Sequence, residues 1–131
     1  EIAPLVTGKV VPTREVRLGY RPTSENPDFT INDESHHRAE PVKLGELQIW
    51  DVINESSVDH PFHLHGYFFQ VMEVNGEPPA YLSWEDTVNI PAKGRARVAW
   101  LPEDRPGEWM YHCHILEHHA GGMMAHFEVV K

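Results

Sequence analysis

An all-β protein, a Greek-key β-sandwich of about eight strands, is what the 131-residue sequence predicts. Three observations carry that prediction. Apolar residues show almost no 3.6-residue periodicity, so amphipathic helices are not written into the chain. Turn signals recur at short intervals, in RPTSENPD, NGEPPA, PAKG and LPEDRPGE. Eleven prolines and nine glycines punctuate short runs of strand-forming residues, the pattern of an antiparallel sandwich.

Residues 1–12 carry Pro4 and Pro12 and little pattern, and read as an arriving segment; residues 13–131 read as a single domain. Within it, strands are placed near REVRLG, FTIN, ELQIWDVIN, LHGYFFQVMEVN, EDTVNI, RARVAWL, EWMYHCH and MAHFEVV. Each is rich in β-branched or aromatic residues and bounded by turn formers. AWLPEDRPGEWMYH reads as two strands joined by a corner loop. A chain of this length buries roughly two-thirds of its unfolded surface, enough for one core.

Charge and composition narrow the partners. Eleven basic against twenty acidic residues give a net charge of −9 with no Lys/Arg cluster, which argues against nucleic acid. No apolar run approaches the roughly 20 residues of a membrane helix. A single cysteine, Cys113, excludes an internal disulfide. The first residues, EIAPLVTGKVVP, lack the basic-then-apolar plan of a signal peptide and an initiator Met, so the chain reads as the processed or C-terminal part of something longer.

Chemistry is concentrated in two stretches. HPFHLHG, residues 60–66, and HCHILEHHAGGMM, residues 112–124, together hold seven of the ten histidines, the one thiol and two of the four methionines. Histidine is the commonest metal ligand. Side chains alternate faces along a strand, so His63 and His65 share a face and His60 points the other way. The same parity puts His112 and His114 on one face and Cys113 on the other. Two such strands side by side build two sites a strand's thickness apart. The first collects His60 and Cys113, with His118 and Met123 following at five-residue spacings on a Gly-containing loop. Two imidazoles, a thiolate and a thioether form the His₂Cys set with a weak axial Met that favours copper in electron transfer. Structural zinc prefers several thiolates, so copper is the better reading. The second site offers His63, His65, His112 and His114, which by themselves suit copper, zinc, iron or nickel.

These two stretches closely resemble the third and fourth copper motifs of the multicopper oxidases, the laccase-like enzymes built of cupredoxin domains. Supporting similarity runs through FTIN, PVKLGE, EDTVNIP and PGEWMYHCH, from about residue 28 to residue 131. The resemblance implies a cupredoxin-like sandwich carrying a type 1 (blue) copper held by His60, Cys113 and His118, with Met123 axial. It implies His63 as a ligand of the type 2 copper and His65, His112 and His114 as ligands of the type 3 pair. It makes Cys113, His118, His112 and His114 the residues that pass single electrons from a reducing substrate to a trinuclear cluster, where dioxygen is reduced to water. It further implies a periplasmic or secreted location. The family's cluster takes eight histidines, and four of them come from an N-terminal cupredoxin domain with two further H-x-H motifs. No other H-x-H occurs here, so the type 1 site is complete in this chain and the cluster is a half-site. The partner is therefore an N-terminal cupredoxin domain of the same or another chain, or a second copy of this chain in a homo-oligomer. Bacterial relatives often carry an acid after the last type 1 histidine; here that position is His119.

Other conspicuous residues read more simply. His36 and His37 fall in the polar run NDESHHRAE and read as a solvated loop. His126 reads as a strand position. Met124 reads as core packing. Trp50, Trp84, Trp100 and Trp109 read as sandwich core or rim, and Asp86 as a strand-end hydrogen-bonding group. The alternative function is a stand-alone blue-copper electron-transfer protein. Phenols, aromatic amines and metal ions are all candidate small reducing substrates. With only four methionines, the chain leans toward organic donors.

Overall fold

The computed structural model describes residues 2–21, 28–115 and 122–131. Eleven strands are formed among them: β1 (Arg14–Arg21), β2 (Asp28–Ile31), β3 (His37–Arg38), β4 (Val42–Lys43), β5 (Gln48–Asn54), β6 (His60–Leu64), β7 (Gln70–Val74), β8 (Thr87–Ile90), β9 (Arg95–Trp100), β10 (Gly107–Cys113) and β11 (Met124–Val130). They make two sheets. One has the order β2-β1-β5-β9-β7; the other runs β3-β11-β10-β6-β8, with β4 also paired to β11. Every expected strand region contains a strand, and no helix occurs among the described residues.

Three details differ from the sequence reading. The sheets are mixed rather than antiparallel: β1 pairs with β5 in parallel, as β11 does with β3 and β4. After the β1–β2 hairpin the chain crosses to the other sheet through β3 and β4, and returns as β5 running alongside β1. The count exceeds eight partly because β3 and β4 are two residues each, too short to register as alternation. The run LHGYFFQVMEVN is not one strand: it takes in the last residue of β6 and, after a break, β7 in the other sheet. The break falls at Gly66, whose φ of 86° lies in the left-handed region and whose added Cβ would sit 2.5 Å from the Trp109 ring. A glycine allows both the turn and the close approach.

The two sheets close on an aromatic core. Trp50 and Trp100 come from one sheet, Tyr111 and Phe127 from the other, and all four are buried. Trp50 meets Trp100 at 5.2 Å and Tyr111 at 5.0 Å between ring centroids, both edge-on. Such pairs contribute about 0.5–1.5 kcal/mol each beyond their buried area. Trp50 Nε1 donates to Gln48 Oε1 at 3.0 Å. Residues 3–5 lie against β7, where Leu5 N donates to Gln70 Oε1 and Gln70 Nε2 donates to Ala3 O.

Candidate metal centre

The centre is built on two neighbouring strands of the second sheet. β10 pairs with β6 in antiparallel register, His112 opposite His63 and Cys113 opposite Phe62. On β6 the alternation sends His60, Phe62 and Leu64 into the core and leaves Pro61 and His63 half-buried on the outer face. On β10, Tyr111 and Cys113 point inward. The strand pair thus carries potential ligands on both faces.

On the inner face, Cys113 Sγ lies 3.4 Å from His60 Nδ1, and both residues are completely buried. Met123 is buried in the same core cluster, and its carbonyl accepts a hydrogen bond from Cys113 N at 3.2 Å. Gly122 sets up that approach. Its φ is 115°, its carbonyl accepts from His36 N, and a Cβ there would meet Ser35 Oγ at 1.9 Å. Burial pushes the Cys113 thiol up to about 11, so the thiolate needs a cation to form at neutral pH. His118, with Glu117 and His119, lies in residues 116–121, outside the described residues.

On the outer face, His63, His65 and His112 bring one nitrogen each within 4.8 Å of one another. His65 Nε2 and His112 Nε2 are 2.8 Å apart. The other nitrogens of His112 and His63 are held from behind. His112 Nδ1 lies 2.7 Å from Cys113 O, and His63 Nδ1 lies 2.8 Å from Asp86 O. A carbonyl can only accept, so Nδ1 carries the proton in both rings and Nε2 is left with a lone pair. Such backbone anchoring of the remote ring nitrogen is the arrangement of metal-bound histidines. His114 is exposed and lies outside this group of three. Its ring is 4.9 Å from that of His63 and 6.1 Å from that of His112, and its Nδ1 is 3.5 Å from Thr87 Oγ1.

The donor chemistry of both faces fits copper. A thiol and an imidazole meet in a dry interior beside a buried methionine, and three imidazoles gather on the other face, two of them half-buried and one buried. The sequence reading gave Asp86 a strand-end hydrogen bond but did not connect Asp86, Thr87 or Ser56 with the histidines they orient. Thr87, opposite His63 in the β6–β8 register, places its hydroxyl 3.1 Å from His63 Nδ1. Asp86 acts through its carbonyl, and Ser56 touches the far side of the His60 ring. No local signal marks them, because they reach the histidines across strands or through a loop. Met124 is also corrected: it is half-buried on the outer face opposite His112, not in the core. His37 opens β3 and pairs with Glu34 rather than sitting in a solvated loop. A groove of about 480 Å³, lined by Leu5, Tyr67, Phe68, Trp84, Leu101, Glu103 and Arg105, shares no residue with either histidine group.

Known proteins resemble this chain in sequence and in fold. A multicopper oxidase family model matches residues 9–131. The chain is 34% identical over 125 residues to the multicopper oxidase MmcO of Mycobacterium tuberculosis, covering 94% of this chain and 24% of that protein. It is 30% identical to a Bacillus subtilis laccase, covering 79% of this chain and 24% of the laccase. The McoA multicopper oxidase of Aquifex aeolicus superposes with a TM-score of 0.84 at 30% identity, over all of this chain and 32% of that one. The Campylobacter jejuni multicopper oxidase, described as a metallo-oxidase, gives 0.81 at 30% identity over 98% of this chain and 32% of that one. The fold is thus the cupredoxin-like Greek-key sandwich, and the chain spans about a quarter of the length of these curated relatives. With the family's match beginning at residue 9 and running to the last residue, the chain belongs to the multicopper oxidases.

Proposed function

We propose that this chain is the electron-accepting domain of a copper oxidase of laccase type. In this reading a type 1 copper is held by His60, Cys113, His118 and Met123. The outer histidines supply half of a trinuclear cluster, His63 to its type 2 copper and His65, His112 and His114 to its type 3 pair. Copper supplies one-electron transfer at the inner site and dioxygen reduction to water at the outer one.

The observation that carries this reading is the position of Cys113. Its side chain faces the buried His60, while the next residue back, His112, faces the outer histidine group. One peptide unit therefore connects the buried thiol site to the imidazole group on the opposite face. Cys113 and His112, with His114 on the other side, provide a short covalent path between the two faces. Phe62, Leu64 and Tyr111 exclude water from the inner side. That dryness lowers the reorganisation that accompanies each electron.

The outer group presents its lone pairs away from this chain's core, which supports a second histidine-bearing body over β6 and β10. An N-terminal cupredoxin domain, in the same polypeptide or on another chain, is the proposed occupant. The substrate is a small reductant, organic donors ahead of metal ions, and the compartment is periplasmic or secreted. No helix among the described residues is long and apolar enough to cross a membrane.

Copper analysis of the protein as the cell makes it tests this reading, together with oxygen uptake in the presence of a phenolic donor. About four copper ions per assembly and donor-dependent oxygen consumption are expected. A single copper per chain with a blue spectrum and no turnover would replace the oxidase with a stand-alone electron carrier.

A further inference from the structure

We propose that Ser56, locked in place by Asn54, is a positioning residue that fixes His60 in the tautomer with the proton on Nε2 and a bare Nδ1 aimed at Cys113. The inference rests on the inner-site reading for its purpose, but its structural content stands in the metal-free protein.

The argument begins with Asn54 at the end of β5. It is buried, and its Nδ2 lies 2.8 Å from Val58 O, 3.1 Å from Ile90 O and 3.1 Å from Pro91 O. Three carbonyls can face only the amide nitrogen, so the side-chain oxygen is the end that meets Ser56. Asn54 Oδ1 accepts from Ser56 N at 3.0 Å and lies 2.8 Å from Ser56 Oγ. Ser56 is buried as well. Its hydroxyl oxygen accepts from Val58 N at 3.4 Å and has three closer neighbours: Asn54 Oδ1 at 2.8 Å, Val58 O at 3.0 Å and His60 Nε2 at 2.7 Å.

Proton counting selects the tautomer. A serine hydroxyl has one proton. Two of its three neighbours, the amide oxygen and the carbonyl, accept only. If Nε2 were bare, the hydroxyl would have to donate to it. Two oxygen–oxygen contacts of 2.8 and 3.0 Å would then have no hydrogen between them, against one in the opposite tautomer, and close oxygens with no hydrogen between them repel strongly in a buried site. With the proton on Nε2, the ring donates to Ser56 Oγ and the hydroxyl donates to Asn54 Oδ1. The ring's other nitrogen then carries the lone pair, and it is this atom that lies 3.4 Å from Cys113 Sγ. A metal between the two atoms needs that lone pair.

The loop around Ser56 is anchored at both ends. Lys93 N donates to Ser56 O at 3.0 Å, and Asn54 N donates to Gly94 O at 2.8 Å. Asp59 accepts from Ala92 N and Asn89 Nδ2. His60 is therefore held in place before any metal arrives and need not reorient to bind one.

Nitrogen-15 spectroscopy of the metal-free protein, labelled at histidine, reads the tautomer directly. The protein as the cell makes it should show His60 protonated at Nε2. Ser56→Ala should give a mixture of tautomers, and Ser56→Thr, which keeps the hydroxyl, should restore the single form. Chelator competition should show Ser56→Ala losing about 10–100-fold in inner-site copper affinity, with recovery in Ser56→Thr. A native His60 protonated at Nδ1 overturns the proposal without any variant, even if Ser56→Ala does not fold. An unchanged tautomer and affinity in Ser56→Ala also overturns it. A native protein with the Nε2 tautomer that forms no blue site under copper would instead sink the copper reading and leave the positioning role standing.

Discussion

The two faces of the β6–β10 strand pair solve the same problem in opposite ways. Inside, His60 and Cys113 sit in a completely buried site, and His60 is oriented by the side chain of Ser56. Outside, His112 is oriented by the backbone carbonyl of Cys113, and His63 by that of Asp86 at 2.8 Å, with the Thr87 hydroxyl at 3.1 Å beside it. A carbonyl anchor survives substitution of the residue that owns it, whereas a hydroxyl anchor does not. The outer group, two of its three histidines half-buried, thus leans mainly on backbone supports. The inner face is shielded from solvent but dependent on a few side chains. The strand's two-residue period lets one short segment serve both.

Cys113→Ser breaks this pairing most completely. The proposed type 1 site loses its thiolate, and the intense blue absorption and all donor oxidation should vanish. His112 and His63 keep their backbone anchors, so the outer group should still take up copper. Visible absorption and oxygen uptake check the first half, and copper analysis checks the second. A variant that stays blue would refute the thiolate assignment.

Gly66→Ala strikes the point where β6 leaves its sheet. The left-handed backbone costs about 1–2 kcal/mol for an L-residue. Its Cβ would also stand 2.5 Å from the Trp109 ring, and displacing that ring adds about 1–3 kcal/mol of overpacking. Trp109 is itself held by a hydrogen bond from Nε1 to Arg105 O. Because Gly66 directly follows His65, the outer group should be disturbed more than the inner one. Denaturant midpoints would measure the loss, and a blue spectrum outlasting outer-site copper would show its asymmetry.

How legible the molecule is in its sequence follows the range of the interactions concerned. Alternation and turn residues are local, so the strand regions and the inward or outward sense of His60, His63, Cys113 and His112 could be read directly. The parallel pairing of β1 with β5 joins residues such as Val16 and Val52, and no local pattern reports it. The break at Gly66 went unread because LHGYFFQVMEVN keeps its strand composition across it. Thr87 and Asp86 meet His63 only through the β6–β8 register. Ser56 is four residues from His60 yet was passed over, since a loop serine ordinarily satisfies itself with nearby backbone. Its role emerges once Asn54 is seen to take up the other partners.

Met123→Leu is the mildest way to sharpen the contrast between the faces. Met123 is buried among apolar neighbours, and a volume-conserving exchange costs less than about 1.5 kcal/mol in stability. If its thioether is the weak axial donor to Cu(II), removing it should keep the colour and raise the reduction potential, because the oxidised ion loses a donor. Spectroelectrochemistry measures the shift. Met124 is the internal control. It lies on the outer face opposite His112, so Met124→Leu should leave the inner potential where it was. A potential that moves with Met124 and not with Met123 would reverse the axial assignment, while the parity of the two faces would stand.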